Sequence, residues 1–310
     1  MSATTLPNQR ELFGHPIGLF ILFFTEMWER FSYYGMRAIL VLYLVSETTG
    51  ANPGLGWTNG EALSLYGWYT MMVYVMSVPG GYLADKFLGQ RKSVTIGGVL
   101  LLIGHSVLAV EHLTAFYAGL VFIVLGVGML KPNISTMVGG LYKQGDVRRD
   151  KGFTIFYIGI NLGAFLSSLI VGYVGETYGW HYGFGLAGIG MALGVAQYTW
   201  GQKYLAHVGN HLGASAQTSK VMDAPLSKVE KDRVVVLLIS FLLVILFWGA
   251  FEQAGGLMNI YTMEKTNRMI GDWQVPASWF QSINAMFIIF FGSAVAVSYT
   301  HLTLPTILLV

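Results

Sequence analysis

The segment Glu26–Arg37, EMWERFSYYGMR, places four charged side chains inside a stretch that is otherwise apolar. Glu26, Glu29 and Arg30 stand at positions i, i+3 and i+4, so a helix brings them to one face. A charge at the centre of a membrane-spanning helix costs about 3 kcal/mol on insertion scales, and four unpaired charges would cost on the order of 10 kcal/mol. We therefore expect these side chains to form ion pairs or to face water.

Two further ionisable residues lie deep in apolar stretches: Lys131, directly before Pro132, and Glu252, in FWGAFEQAGG. A buried ammonium group needs an anionic partner, and Glu26 or Glu29 is the expected partner of Lys131. Together with the four charged residues of the first helix, these two residues make a set of three acids and three bases. The set is neutral when every member is ionised.

This balance predicts a mechanism. An arriving carboxylate that takes Arg37 or Lys131 from its acidic partner leaves a glutamate unpaired, and an unpaired buried glutamate is expected to bind a proton. Substrate and proton occupancy would then be coupled, as a symporter requires. The alternative is that the charges only hold the helices together. Buried ion pairs are poor sources of stability, which favours the functional interpretation.

Composition places these residues in a polytopic membrane protein, because 54% of the 310 residues are hydrophobic and only 11% are charged. The net charge of +2 and the absence of a basic aromatic patch argue against nucleic-acid binding. No cysteine is present, which excludes disulfides and thiolate metal sites. No HExxH, GxSxG or P-loop pattern occurs, so we expect no enzyme activity, no metal site and no ATP-driven pump.

Apolar stretches long enough to cross a bilayer define eight predicted spans. These are residues 16–46, 61–87, 93–111, 114–141, 152–175, 182–206, 232–262 and 277–297. Thirteen of the 18 Lys and Arg residues then fall at the N-terminus or in the loops after spans two, four and six, against two, Lys265 and Arg268, on the opposite side. The positive-inside rule predicts a cytoplasmic N-terminus, and we expect a bacterial inner (cytoplasmic) membrane.

The pattern predicts a division into several regions. They are a cytoplasmic N-terminus at 1–15, a six-helix bundle at 16–206, a polar cytoplasmic linker at 207–231, two helices at 232–297 and a tail at 298–310. We expect the chain to be truncated at its C-terminus, with a tail that is not native. An ordinary loop and the start of a ninth helix remain the alternative.

Several motifs in order resemble the proton-dependent oligopeptide transporters (POT/PTR2) of the major facilitator superfamily. The ExxER motif lies in EMWERFSYYG, the helix two to three signature in GGYLADKFLG, and the helix-five signature in FTIFYIGINLGAF, with KPN, FWGAFEQAG and ASWFQSIN following. The resemblance implies an all-α polytopic membrane protein with a complete N-terminal six-helix bundle and the first two helices of a C-terminal bundle. Ala285 stands where the family usually has proline, and the last four core helices are missing.

The resemblance also implies roles by matching position. The proton-coupling residues would be Glu26, Glu29, Arg30, Lys131 and Glu252. The peptide-binding residues would be Tyr34, Arg37, Tyr74, Lys131, Asn161, Trp248, Glu252 and Asn284, with Arg37 and Lys131 facing the peptide carboxylate. From the residues themselves, the basic turn between spans two and three, with Asp85 and Arg91, is expected to be either a gate or a simple topological anchor.

The function implied is import of di- and tripeptides with protons across a lipid bilayer, driven by the proton gradient without a cofactor. Two alternatives stay open from the residues themselves. The same fold could carry another small anionic or zwitterionic solute. The chain could also be a truncated membrane protein that does not transport, such as a receptor or scaffold.

Overall fold

The computed structural model describes residues 10–143, 145–210 and 227–292, which are predominantly helical. The helices are α1 (Ile17–Val45), α2 (Asn59–Val75), α3 (Ser77–Leu83), α4 (Gln90–Leu108), α5 (Leu113–Gly140), α6 (Arg148–Tyr178), α7 (Trp180–Gly201), α8 (Lys228–Phe251), α9 (Leu257–Lys265) and α10 (Ala277–Gly292), which begins with a 3-10 turn. Two short antiparallel pairs join β1 (Glu11–Leu12) to β2 (His15–Pro16) and β3 (Met269–Ile270) to β4 (Trp273–Gln274). This architecture confirms the predicted all-α class.

Two predicted spans are interrupted where the sequence led us to expect continuous helices. The span at 61–87 begins at a capping box on Thr58, breaks at Met76 and ends in a π-helical turn, Ala84–Leu88, before Gly89 at a φ of 76°. Gly89 adopts a left-handed conformation that only glycine reaches without strain. The span at 232–262 breaks between α8 and α9. Hydropathy detects apolar length but not these local changes of backbone path.

By length and composition, four helical segments of the described residues could cross a membrane. They are Gln90–Leu108, Leu113–Gly140, Arg148–Tyr178 and Lys228–Lys265. Helix α1 is as long as these, but the four charges in its middle lower its apolar character. The chain is a multi-pass membrane protein in which α1, the helix with the most buried residues, carries these four charges.

Glycines allow the helices to approach closely. Gly97 of α4 and Gly126 of α5 face each other, and a Cβ added to Gly97 would lie 2.7 Å from the carbonyl oxygen of Gly126. A Cβ on Gly163 of α6 would lie 3.0 Å from the Cβ of Arg30 in α1. Small residues are the usual means of close helix contact in membranes. Here they bring the backbone of α6 directly against the charged segment of α1.

The two sides of the bundle can be told apart by their contacts. On one side, called the N-terminal side below, His15 bonds the Tyr142 hydroxyl at 2.8 Å and Arg91 bonds the Asn210 side chain at 3.1 Å. On the other side, called the hairpin side after β3 and β4, the Asn52 side chain donates to the Gly175 carbonyl at 2.8 Å. The successive helices run alternately between these two sides.

The residues before 211, called the N-terminal half, meet the residues after 226, called the C-terminal part, mainly through α1 and α6 against α9 and α10. No residue of α8 is buried in the structure. The predicted tail at 298–310, most of the predicted linker and residues 1–9 lie outside the described residues. The contacts between the two parts therefore concentrate at mid-membrane and on the hairpin side.

We predict that Gly97→Ala destabilises the protein by about 1–3 kcal/mol, because the new methyl group forces α4 away from α5. The matched control is Gly67→Ala in α2, where a Cβ would have no neighbour within 4 Å. Helix propensity alone makes that control neutral or stabilising, by about 1 kcal/mol. Thermal unfolding in detergent, followed by the fluorescence of the eight tryptophans, measures both changes. Equal melting temperatures for the two variants would contradict the packing argument.

Candidate functional site

Two carboxylates share one guanidinium in the middle of α1. The Arg30 Nε donates to the Glu26 Oε1 at 2.8 Å and lies 2.6 Å from the Glu29 Oε2. All three side chains are almost completely buried, with Glu29 at 0% exposure. The helical spacing predicted from the sequence thus brings these three residues together.

The hydrogen bonding of this cluster is incomplete. Both oxygens of Glu29, the Oε2 of Glu26 and the Nη2 of Arg30 are buried without a hydrogen-bond partner among the described residues. A buried carboxylate that lacks donors is costly to keep ionised, and one arginine balances only one of the two acids. The cluster can therefore accept a proton without losing a hydrogen bond at Glu29.

A second ion pair joins the N-terminal half to the C-terminal part. The Arg37 Nη1 of α1 donates to the Glu252 Oε2 at 2.8 Å, and Arg37 is 6% exposed. The hydroxyl of Tyr74 donates to the Glu252 Oε1 at 3.1 Å, and that of Tyr66 lies 3.4 Å from the Oε2. The Arg37 guanidinium also lies 5.0 Å from the ring centre of Tyr34. The Glu252 carboxylate thus contacts an arginine of α1 and two tyrosines of α2.

The interruption between α8 and α9 makes this arrangement possible. Glu252 lies in the 3-10 turn that ends α8, and Gly255 follows it. A Cβ on Gly255 would meet the Tyr66 hydroxyl and come within 3.0 Å of the Arg37 Nε. The backbone can approach Arg37 this closely because position 255 is a glycine.

Lys131 does not pair with Glu26 or Glu29 as we expected. Within the described residues, no carboxylate lies within 4.0 Å of its ammonium group. The Lys131 Nζ lies instead 4.5 Å from the ring centre of Tyr74, which is a cation–π contact. Because Arg30 already occupies the near oxygens of both glutamates, Lys131 points to the tyrosine that also binds Glu252.

The other predicted site residues are more dispersed. Asn161 of α6 is buried, and its side chain donates to the Tyr157 carbonyl of its own helix at 2.9 Å. Trp248 is half-exposed and its ring contacts Phe247 and Phe251, while Asn284 is exposed. Among the described residues, none of these three side chains forms a hydrogen bond with the Arg37–Glu252 pair.

The two residues proposed as a gate differ in their contacts. Asp85 is exposed in the π-helical turn and forms no ion pair with any described residue. Arg91 donates to the Gln202 side chain at 3.2 Å and to that of Asn210 at 3.1 Å. Its backbone N–H also bonds the Gly209 carbonyl at 2.9 Å. Arg91 therefore anchors the start of α4 to the end of α7.

Sequence reasoning missed Tyr66. Its hydroxyl donates to the Glu252 carbonyl at 3.2 Å, and the side chain is 4% exposed. The spacing of Tyr66, Thr70 and Tyr74 at i, i+4 and i+8 places all three on one helical face, and this pattern was the available signal. Tyrosine is frequent in this chain, so the pattern alone does not mark a site.

Comparison with known proteins identifies the family. The family described as "PTR2: POT family" matches residues 91–230 and 210–304. The chain belongs to the POT family. The relatives of this POT protein include the uncharacterized transporter YclF of Bacillus subtilis, which is 37% identical over 92% of this chain and 68% of its own length. The peptide transporter YePEPT of Yersinia enterocolitica is 35% identical over 93% of this chain and 68% of its own.

Solved structures agree with this assignment. A crystal structure of a POT peptide transporter in complex with sulfate aligns with a TM-score of 0.80 and 36% identity, over 95% of this chain and 70% of that one. This POT protein therefore has the fold of the major facilitator superfamily, as the sequence predicted. POT family members are transporters, which also confirms the prediction that the protein is not an enzyme.

We predict that Arg30→Gln in this POT protein costs about 3–5 kcal/mol of stability, because it leaves two buried carboxylates without their cation. Adding Glu29→Gln to that variant should recover part of the loss, since one carboxylate is then neutral. Arg233→Gln, on the exposed face of α8, is the control that removes one arginine without effect. Thermal unfolding in detergent compares the four proteins. A double variant no more stable than Arg30→Gln would contradict the shared-guanidinium arrangement.

Proposed function

We propose that this POT protein imports di- and tripeptides together with protons. Membership in the family and the names of its relatives support peptide transport. The observation that carries proton coupling is the state of Glu29, which is fully buried beside a shared arginine and has no hydrogen bond on either oxygen. The fold supports alternating access, in which two bundles open to each side in turn.

The Arg37–Glu252 pair is the proposed point of substrate competition. A peptide carboxylate can replace Glu252 on the Arg37 guanidinium, which offers a planar set of donors for such groups. Glu252 keeps the hydroxyl of Tyr74 when it loses the arginine, so its carboxylate is not left without a donor. Binding of the peptide would therefore weaken the contact between the two parts of the protein.

Lys131 extends this competition to the proton site. Its ammonium group contacts the Tyr74 ring rather than a carboxylate, so it remains available to a substrate carboxylate. A peptide that recruits Lys131 draws positive charge away from Glu26 and Glu29, which favours protonation of one of them. Tyr74 touches both Lys131 and Glu252 and so links the two events. We assign Tyr34, Asn161, Trp248 and Asn284 to the walls of the peptide site on the resemblance alone.

The basic loops favour a cytoplasmic N-terminal side in a bacterial inner membrane. One proton entering with a neutral zwitterionic peptide then gains about 2.3 kcal/mol per 100 mV of membrane potential. One unit of pH gradient adds about 1.4 kcal/mol. Together these terms sustain a substrate gradient of several hundredfold, in order of magnitude.

In the same arrangement, Asp85 and Arg91 lie at the cytoplasmic ends of their helices, and we retain them as a candidate cytoplasmic gate.

We predict that the full-length protein in proteoliposomes takes up dipeptide faster when the outside is more acidic, because the proton is a co-substrate. Arg37→Ala should lower uptake at limiting substrate by more than about tenfold, since the peptide carboxylate loses a charged partner. Arg233→Ala is the matched control on the exposed face of α8. An uptake rate that does not depend on pH would contradict the proposal. Inhibition of uptake by free amino acids or nitrate, and not by peptides, would favour another solute as the substrate.

A separate prediction concerns Glu29. The Glu29→Gln variant should lose uptake driven by the pH gradient but keep exchange of labelled for unlabelled peptide, because exchange needs no net proton movement. Glu47→Gln, in an exposed loop, removes the same charge as a control. Wild-type uptake by Glu29→Gln at every pH would exclude Glu29 as the coupling residue. Loss of both activities would assign it a structural role.

A further inference from the structure

The carboxylate of Glu176, near the end of α6, binds the first residues of α10. Its Oε2 accepts from the backbone N–H of Ala277 at 2.8 Å, and its Oε1 accepts from the backbone N–H and hydroxyl of Ser278 at 2.8 and 2.6 Å. Arg268 lies 3.9 Å from the same carboxylate. Glu176 is 15% exposed on its side chain, and Ser278 is fully buried.

This contact crosses between the two parts of the protein. The first N–H groups of a helix have no partner within the helix, so a carboxylate placed there makes strong charge-assisted bonds. For α10, that carboxylate comes from α6, about one hundred residues earlier in the chain. The start of α10 has its N–H groups satisfied only while the N-terminal half stays against it.

Neighbouring contacts hold the same interface. The Trp279 indole donates to the Leu169 carbonyl of α6 at 2.9 Å. The side chains of Asn259 and Gln281 donate to the Ala38 carbonyl of α1 at 2.8 and 3.3 Å. At Gly172, a Cβ would lie 2.8 Å from that of Ser278, so α6 and α10 touch where α6 has no side chain. The interface is therefore close-packed and located towards the hairpin side.

We infer that Glu176 is a gate residue that holds the hairpin side closed. Opening that side requires α6 and α10 to separate, which breaks three hydrogen bonds to one carboxylate and leaves the start of α10 uncapped. The contact thus sets the balance between the two accessible states of the transporter. This inference rests on the proposed function, because alternating access is what makes a closing contact part of the transport cycle.

The test uses site-directed labelling, which suits a chain without cysteine. One reporter is Ala277→Cys, at a fully buried side chain on the hairpin side, which keeps its backbone N–H. The other is Ser135→Cys, an exposed position one turn after Lys131 on the N-terminal side. A membrane-impermeant maleimide is applied to the full-length protein in detergent without substrate. Glu176→Gln is then compared with the unchanged protein on each reporter.

We expect Glu176→Gln to raise the labelling rate at position 277 by about tenfold, the effect of losing one charged hydrogen bond. Labelling at position 135 should fall, because the two sides open alternately. Ser278→Ala removes only the hydroxyl donor and should give a smaller increase at position 277. The control Glu47→Gln removes an equal charge from an exposed loop on the hairpin side and should leave both rates unchanged.

Two results would overturn the inference. One is an increase at position 277 no larger than that of Glu47→Gln. The other is an increase at both reporters, which indicates loosening of the fold instead of a shift between states. Because the labelling needs no peptide and no pH gradient, it gives its answer even if the substrate or the proton coupling proves to be different.

Discussion

The need to pair charges inside an apolar bundle governs this structure. Arg30 pairs with two carboxylates, Arg37 pairs with a third, and Lys131 contacts an aromatic ring. Each contact places a charge that has little water around it next to an opposite charge or an aromatic ring. Neither carboxylate oxygen of Glu29 has a hydrogen-bond partner among the described residues. We propose that this deficit makes Glu29 a proton site and not only part of a structural ion pair.

Close backbone packing is what allows these contacts to form. Gly163 brings α6 against Arg30, and Gly255 lets the turn after α8 approach Arg37. In a membrane, helices gain little from the hydrophobic effect against one another, so surface fit and polar contacts decide which helices meet. The glycines and the charges of this POT protein thus depend on one another. Without close packing, the Arg37–Glu252 pair, which joins two helices, would be too long to offset its burial.

The two parts of the protein are linked at two levels. Near mid-membrane, Arg37 and Glu252 form the contact that we propose a substrate carboxylate replaces. Towards the hairpin side, Glu176 caps α10 through backbone N–H groups that a substrate would not reach directly. In the proposed cycle, loss of the first contact would weaken the interface that the second contact holds. The proposed transport cycle couples binding to opening through this shared interface.

The sequence by itself determined the helical class, the family and the residues of the charge cluster in α1, because their spacing follows from helical geometry. It did not determine which side chains of different helices contact one another. Lys131 was expected to pair with a glutamate but contacts the Tyr74 ring. Neither Tyr66, in the middle of α2, nor Glu176, near the end of α6, stood out among the polar residues of the sequence. Local spacing places residues on a helical face, whereas the rotation and separation of helices decide which faces meet. Only the tertiary structure could show that the start of α10 depends on a carboxylate from α6.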